Sequence, residues 1–223
     1  MAKQQDASET EAPRWRPMFA MICVNNVNRS TAAHDHLHAA GLRVRSYGAG
    51  KCVALPGATS TSPRVFEFAT PYERMHATLQ KENHELFTRN GVLQMLERDI
   101  ATKPCPERWQ SLSNKQLQQI DVVLCLDYRM FLTVLEDLSM RIRISFKKKR
   151  LHVICLDVED TPDDAAHGGQ IALSLCQEID DVATGKNTTT KSPGDLTEDC
   201  VKAIVMDFEK RHHLQMFYLG LRL

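Results

Sequence analysis

Eight consecutive residues could do chemistry together: Cys23-Val24-Asn25-Asn26-Val27-Asn28-Arg29-Ser30. A cysteine, five residues, an arginine and a serine are the parts of a phosphate trap with a nucleophile at its base. Five residues can wrap so that their backbone N–H groups converge, and such a nest at a helix N-terminus binds an anion. Arg29 adds a planar fork matched to phosphate oxygens. The same positive environment favours the thiolate of Cys23, the form that attacks phosphorus. A phosphocysteine would form and water would later cleave it. The loop amides and Arg29 carry the charge of the transition state, so this chemistry calls for no metal and no cofactor. The departing alkoxide needs a proton. Four carboxyls in the acidic stretch 157–164 are candidates: Asp157, Asp160, Asp163 and Asp164.

The flanking elements must deliver these groups to one place. Phe19–Val24 is a short apolar run, expected as a strand buried on both faces. The loop follows, then a helix to about Ala40 that Gly41 terminates. Leu42–Tyr47 is a second strand, completing a right-handed βαβ unit. Turn residues over 48–68 flank two extended stretches, Cys52–Leu55 and Val65–Phe68, expected as a hairpin insertion. A helix is predicted from near Pro71, with Thr70 as its cap, to the Asn90-Gly91 break, and another over Val92 to about Arg98. Pro104 and Pro106 mark an irregular stretch. Asp121–Leu126 and Leu151–Leu156 read as further core strands, with an amphipathic helix over Asp127–Ser139 between them. The acidic loop leaves the second of these strands at the sheet edge that carries Cys23, where ligands bind in open parallel sheets. Helices over about Asp164–Asp181 and Leu196–Arg211 follow. The apolar tail Leu214–Leu221 is either an edge strand or a segment docked on the core.

The fold class is therefore α/β: three layers, α/β/α, around a mainly parallel sheet of four to five strands, with a small hairpin and helix insertion. One domain is expected over 17–223, with the insertion at about 49–70. A flexible arm over 1–16 and a mobile loop over about 183–194 are expected as well. The chain has 223 residues, 43% hydrophobic and 25% charged, which suits a globular fold. Its 28 basic and 28 acidic residues cancel, so no global field favours nucleic acid or an anionic membrane. No apolar run is long enough to span a bilayer, and the polar stretch Met1–Pro17 is not expected to be a signal peptide. Seven scattered cysteines contain no C-x-x-C pair, which disfavours zinc and disulfides alike. Cys125 and Cys155 fall in strands, as small buried hydrophobes. Lys147–Arg150 reads as a solvated run before a strand, with nuclear import as the sharper alternative.

Longer stretches carry a resemblance. C-x5-R-S near the start and an aspartate loop late in the chain resemble the low-molecular-weight tyrosine phosphatase fold. NRS-x-x-AH (Asn28–His34), VRSYGAG (Val44–Gly50), LPG (Leu55–Gly57), ELFTRNGVLQML (Glu85–Leu96), KPCPERW (Lys103–Trp109), VLEDL (Val134–Leu138) and LDVED (Leu156–Asp160) are similar to one branch of it, the SSU-seventy-two phosphatases. The resemblance implies Cys23 as nucleophile, Arg29 as phosphate clamp and Asp160 as general acid. Val24, Asn25, Asn26, Val27 and Asn28 would complete the phosphate loop. Ser30 would assist the thiolate, Asn26 would hold the loop's tight turn, His34 would pack behind the loop, and Asp157 would support the acid loop. Leu55, Pro56, Phe87 and Met95 would form the substrate groove. The implied substrate is the C-terminal heptad repeat of RNA polymerase II, phosphorylated at the fifth-position serine and followed by a cis proline. The implied partner is a symplekin-type scaffold of pre-mRNA 3′-end processing. The implied location is nuclear, with the cytoplasm also open. Alternatives are a tyrosine phosphatase, an arsenate reductase-like enzyme needing a second cysteine, and a non-catalytic scaffold subunit. Val24 and Asn25 depart from the small polar residues usual in the family. Ala54 replaces a basic residue, and Thr161 and Pro162 replace Asn and His.

Overall fold

The apolar runs become one sheet. The computed structural model describes residues 15–59, 61–142, 149–186 and 196–222. In chain order, β1 (Met18–Cys23) leads into α1 (Arg29–Ala39), β2 (Arg43–Gly48), β3 (Val53–Leu55) and β4 (Arg64–Phe66). Helices α2 (Tyr72–Arg89) and α3 (Val92–Thr102), a 3-10 turn (Trp109–Ser111) and α4 (Asn114–Leu117) follow. The second half is β5 (Val122–Cys125), α5 (Tyr128–Ile142), β6 (Arg150–Leu156), α6 (Pro162–Ala183), α7 (Glu198–His212) and β7 (Met216–Arg222).

The main sheet has the order β2-β1-β5-β6-β7. The first four strands are parallel and β7 is antiparallel to β6. The tail is therefore an edge strand. Strand β1 sits inside the sheet, so Phe19 to Ile22 are buried on both faces. Phe19 and Met21 pack beneath α1, α6 and α7, against Leu37, Leu175 and Phe208. Ala20 and Ile22 face the other layer, with Val134 and Leu138 of α5. That alternation is the two-residue period of a strand, and it produces the three layers. Cys125 and Cys155 lie in the second of these cores.

A third core belongs to the insertion. The β3–β4 hairpin, α2 and α3 close around Leu55, Met75, Leu79, Phe87 and Leu96, and Val27 of the loop between β1 and α1 is buried among them. This core extends from the hairpin to Leu96, beyond the hairpin itself.

Several boundaries differ from expectation. Pro71 takes the N-cap of α2, without a side-chain cap from Thr70. Helix α3 continues to Thr102, past Arg98, because Met95, Leu96 and Asp99 keep one face buried. Helix α6 starts at Pro162: Thr161 Oγ1 accepts the Asp164 N–H at 3.1 Å, and proline suits the first helical position. Asp163 and Asp164 thus lie in a helical turn. Ala183 ends α6, inside the stretch expected as a loop. Residues 187–194 of that loop, the arm up to residue 14 and the first half of Lys147–Arg150 lie outside the described residues.

Candidate active site

The loop after β1 is fastened on all sides. The pairing of β1 with β2 continues past Cys23: Ala49 N–H donates to Cys23 O at 2.9 Å and Gly50 N–H to Val24 O at 3.0 Å. A Cβ on Gly48 or Gly50 would come within 2.8 Å of that Val24 oxygen, so the close approach requires glycine. Asn26 bends the loop with φ of 55°, a left-handed conformation that asparagine tolerates better than most residues. Its side chain accepts the Glu107 N–H at 2.9 Å and donates to Ser30 Oγ at 3.1 Å. The Tyr72 hydroxyl donates to its carbonyl. Burial, with Asp99 and Cys23 nearby, pushes the Tyr72 phenol up, so it stays a donor.

Cys23 lies at the base of this loop, nearly buried. Its Sγ is 3.0 Å from Ser30 Oγ and accepts the Asn26 N–H at 3.3 Å. These are the contacts a leaving thiolate needs when water displaces it from phosphorus. Asn25 pairs with the hairpin: Nδ2 donates to Ala54 O at 2.9 Å, and Oδ1 accepts the Ala54 N–H at 3.0 Å.

Arg29 opens α1 and is buried. Nη1 donates to the carbonyls of Val158, at 2.7 Å, and Leu126, at 3.1 Å. Nη2 reaches Asp127 Oδ2 and Asp160 Oδ2, each at 3.3 Å. Nε alone has no acceptor among the described residues. Burial would raise the Asp127 carboxyl, but hydrogen bonds from Arg129 and the Met130 N–H, with the Arg29 charge, hold it below the usual range. Asp127 is a site residue that sequence reading missed. Its one sequence signal is its place at the C-terminal end of β5, on the edge that carries Cys23.

Asp160 comes from the loop between β6 and α6. Its Oδ1 accepts Asn28 Nδ2 at 3.0 Å, and Oδ2 faces Arg29. Asp157 Oδ1 accepts the Tyr128 N–H at 3.1 Å, tying the same loop to the start of α5. Asp163 and Asp164 are exposed on α6. A cleft of about 460 Å³ joins Cys23, Asn25, Val27, Asn28 and Asp160 to Leu55, Pro56 and Met95. Phe87 does not line it. Phe87 is 2% exposed and packs beneath the wall, in the insertion core.

His34 lies behind the loop, with Nδ1 3.1 Å from Ser46 Oγ. Burial, then the Lys103 charge, lowers it to about 4. A histidine that binds its proton less readily when folded stabilises the fold above its unfolded value, near 6.5, and loses that contribution as pH falls to about 4. Asp99, raised to about 6 by burial, has the opposite sign: its contribution grows as pH falls from about 6 toward 4. A His34→Gln variant should therefore lose less stability than the parent between pH 6.5 and 4. Urea unfolding across that range checks this, and parallel curves would contradict it.

Among the described residues, no three His, Cys, Asp or Glu side chains are grouped to hold a metal. Comparison with known proteins settles the lineage. The family model described as Ssu72-like protein matches residues 17–221. The chain belongs to the Ssu72 family. It is 36% identical over 194 residues to the Danio rerio RNA polymerase II C-terminal domain phosphatase SSU72, covering 87% of this chain and 91% of that protein. A Drosophila melanogaster crystal structure, the serine phosphatase of the RNA polymerase II CTD (SSU72 superfamily), matches with a TM-score of 0.80 at 30% identity, covering 92% of this chain and 99% of the other. D. melanogaster Ssu72 with Symplekin, bound to a cis peptidomimetic CTD phosphoserine peptide, matches with a TM-score of 0.79 at 28% identity, covering 94% and 99%.

The departures from the Ssu72 pattern now have physical consequences. Asn25 reaches the hairpin backbone at Ala54. Thr161 caps α6 and Pro162 opens it. Ala54 puts a methyl group on the cleft wall.

Proposed function

We propose that this Ssu72 family member is a cysteine-dependent phosphoserine phosphatase of the RNA polymerase II C-terminal repeat. The observation that carries this reading is the shared cleft: Cys23 at its base, Asp160 at its rim and an apolar wall of Leu55, Pro56 and Met95 beyond. The phosphate settles in the loop, against the amides of residues 24–29. The unpartnered Nε of Arg29 supplies a donor for a phosphate oxygen. The Cys23 thiolate attacks phosphorus in line. As the P–O bond breaks, protonated Asp160 gives its proton to the serine oxygen. Asp160, now a carboxylate, takes a proton from water, whose oxygen attacks phosphorus. The S–P bond breaks, and Ser30 and the Asn26 N–H receive the returning thiolate.

The apolar wall suits a proline after the phosphoserine. The Drosophila relative holds a cis peptidomimetic, and we extend that preference to this chain. Cis X-Pro is a minor isomer in unfolded peptides, about 10–30%, so a prolyl isomerase would raise turnover. The Drosophila relative also binds Symplekin, and a symplekin-type scaffold is the partner proposed here. A polymerase substrate implies a nuclear role. An arsenate reductase needs a second reactive thiol, and Cys23 is the one cysteine lining the cleft among the described residues. Burial pushes the thiols of Cys125 and Cys155 up, the latter to about 12, which makes them poor relay partners.

The test is phosphate release from repeat peptides, each phosphorylated at one serine. The fifth-position phosphoserine should be turned over fastest, and a prolyl isomerase should raise its rate. Equal rates at every serine, or activity confined to phosphotyrosine, would overturn the assignment.

A further inference from the structure

Asn28 sits at the N-cap of α1, where an asparagine side chain ordinarily accepts a hydrogen bond from its own helix. It makes no such bond. Its amide crosses to the acid loop instead, donating to Asp160 Oδ1 and to the Thr161 carbonyl, each at 3.0 Å. The orientation is chemically fixed: turning the amide over would set its oxygen against a carboxylate and a carbonyl. The residue is only 7% exposed, and its Oδ1 has no donor among the described residues. The side chain has given up its local partner for one far along the chain.

Asn28 is in turn gripped from the insertion. Arg98 Nη2 donates to Asn28 O at 3.2 Å and to Thr31 Oγ1 at 2.7 Å. The same guanidinium holds Asp99 Oδ1 at 2.7 and 3.0 Å, and Asp99 is fully buried. Arg98 lies one turn beyond Met95 of the cleft wall, on the same helix. The acid loop also rests on the turn before that helix: a Cβ on Gly91 would come within 3.6 Å of Pro162 Cγ.

We propose that Asn28 is a positioning residue for proton transfer. It holds Asp160 over the cleft by Oδ1, leaving Oδ2 to carry the proton while a remaining lone pair faces Arg29 Nη2. The Arg98–Asp99 pair holds Asn28. This rests on the phosphatase reading of Cys23 and Asp160. The Asp160 side chain is 46% exposed on a loop, so without a fixed donor it would sample positions out of reach of the leaving oxygen.

The experiment uses the full chain, a series of aryl phosphates of rising leaving-group basicity, and the phosphoserine peptide. Asp160→Asn should show a penalty that grows with leaving-group basicity. Asn28→Ala should follow the same trend, reaching about tenfold or more on the serine peptide, at or below the 10²–10⁴-fold typical of a general acid. Added to Asp160→Asn, it should steepen the trend no further. Asn28→Ser, with a good N-cap residue, repeats the test should the alanine variant fold poorly. A penalty equal across leaving groups, or a steepening that adds to that of Asp160→Asn, would overturn the proposal. Failure of the underlying reading looks different and removes the proposal with it: Cys23→Ser would keep turning over, or Asp160→Asn would show no leaving-group trend.

Discussion

Replacing Cys23 by serine should reduce phosphate release by about 10⁴-fold or more. A hydroxyl is a weak nucleophile at neutral pH, and an alkoxide is a far poorer leaving group than a thiolate, so both halves of the reaction suffer. The fold should be untouched. The loop is held by Asn26, through Glu107 N–H and Tyr72, and by the pairing of Val24 with Gly50. None of these contacts uses the sulfur. Serine is also close in size to cysteine. Turnover of an aryl phosphate and of the repeat peptide, with thermal unfolding as a control, separates the two. An inactive but equally stable variant still able to bind phosphate is the expected result.

Arg29→Lys should cost on the order of 10³-fold in kcat, the scale of a lost transition-state donor. The charge is kept and the fork is lost. Arg29 spends four hydrogen bonds on the Leu126 and Val158 carbonyls, Asp127 and Asp160, and keeps Nε–H in reserve. An ammonium has three donors around one point and cannot span these acceptors and a phosphate together. Inorganic phosphate should bind more weakly as well. Asp127 is buried and has Arg29 and the exposed Arg129 as its cations, so stability should also fall. A lysine variant within about tenfold of the parent rate would mean that charge alone suffices.

The sequence was most readable where signals are local. Apolar runs bounded by turn residues marked β1, β5 and β6 to within a residue or two. Gly41, at φ of 74°, ends the first helix as its position suggested. Cys23 and Arg29 stood out because strand, loop and helix succeed one another directly. The tail 214–221 was ambiguous between two fates, since a short apolar-rich segment fits either; pairing with β6 decided it.

What stayed hidden depends on contacts between distant segments. Phe87 and Met95 share one motif and one chemistry, and nothing local separates them. They lie on different helices, α2 and α3, on either side of the left-handed Gly91; both are buried in the insertion core, and Met95 alone of the two also lines the cleft. Asp127 looked like the start of an amphipathic helix, yet it faces Arg29 across the sheet edge. Asn28 looked like a member of the phosphate loop, and its side chain reaches Asp160 and the Thr161 carbonyl. By residue type alone Asp163 and Asp164 were as plausible as Asp160, which the resemblance singled out; Thr161 and Pro162 draw both into α6.

The central claim is that Cys23 carries the phosphoryl group. Rapid acid quenching of the enzyme with radiolabelled repeat phosphopeptide, followed by mapping of the labelled residue, tests it directly. The label should appear on Cys23 within the first turnover, disappear when unlabelled substrate is added, and be absent from Cys23→Ser. Turnover with no label on protein, or label on another residue, would contradict it.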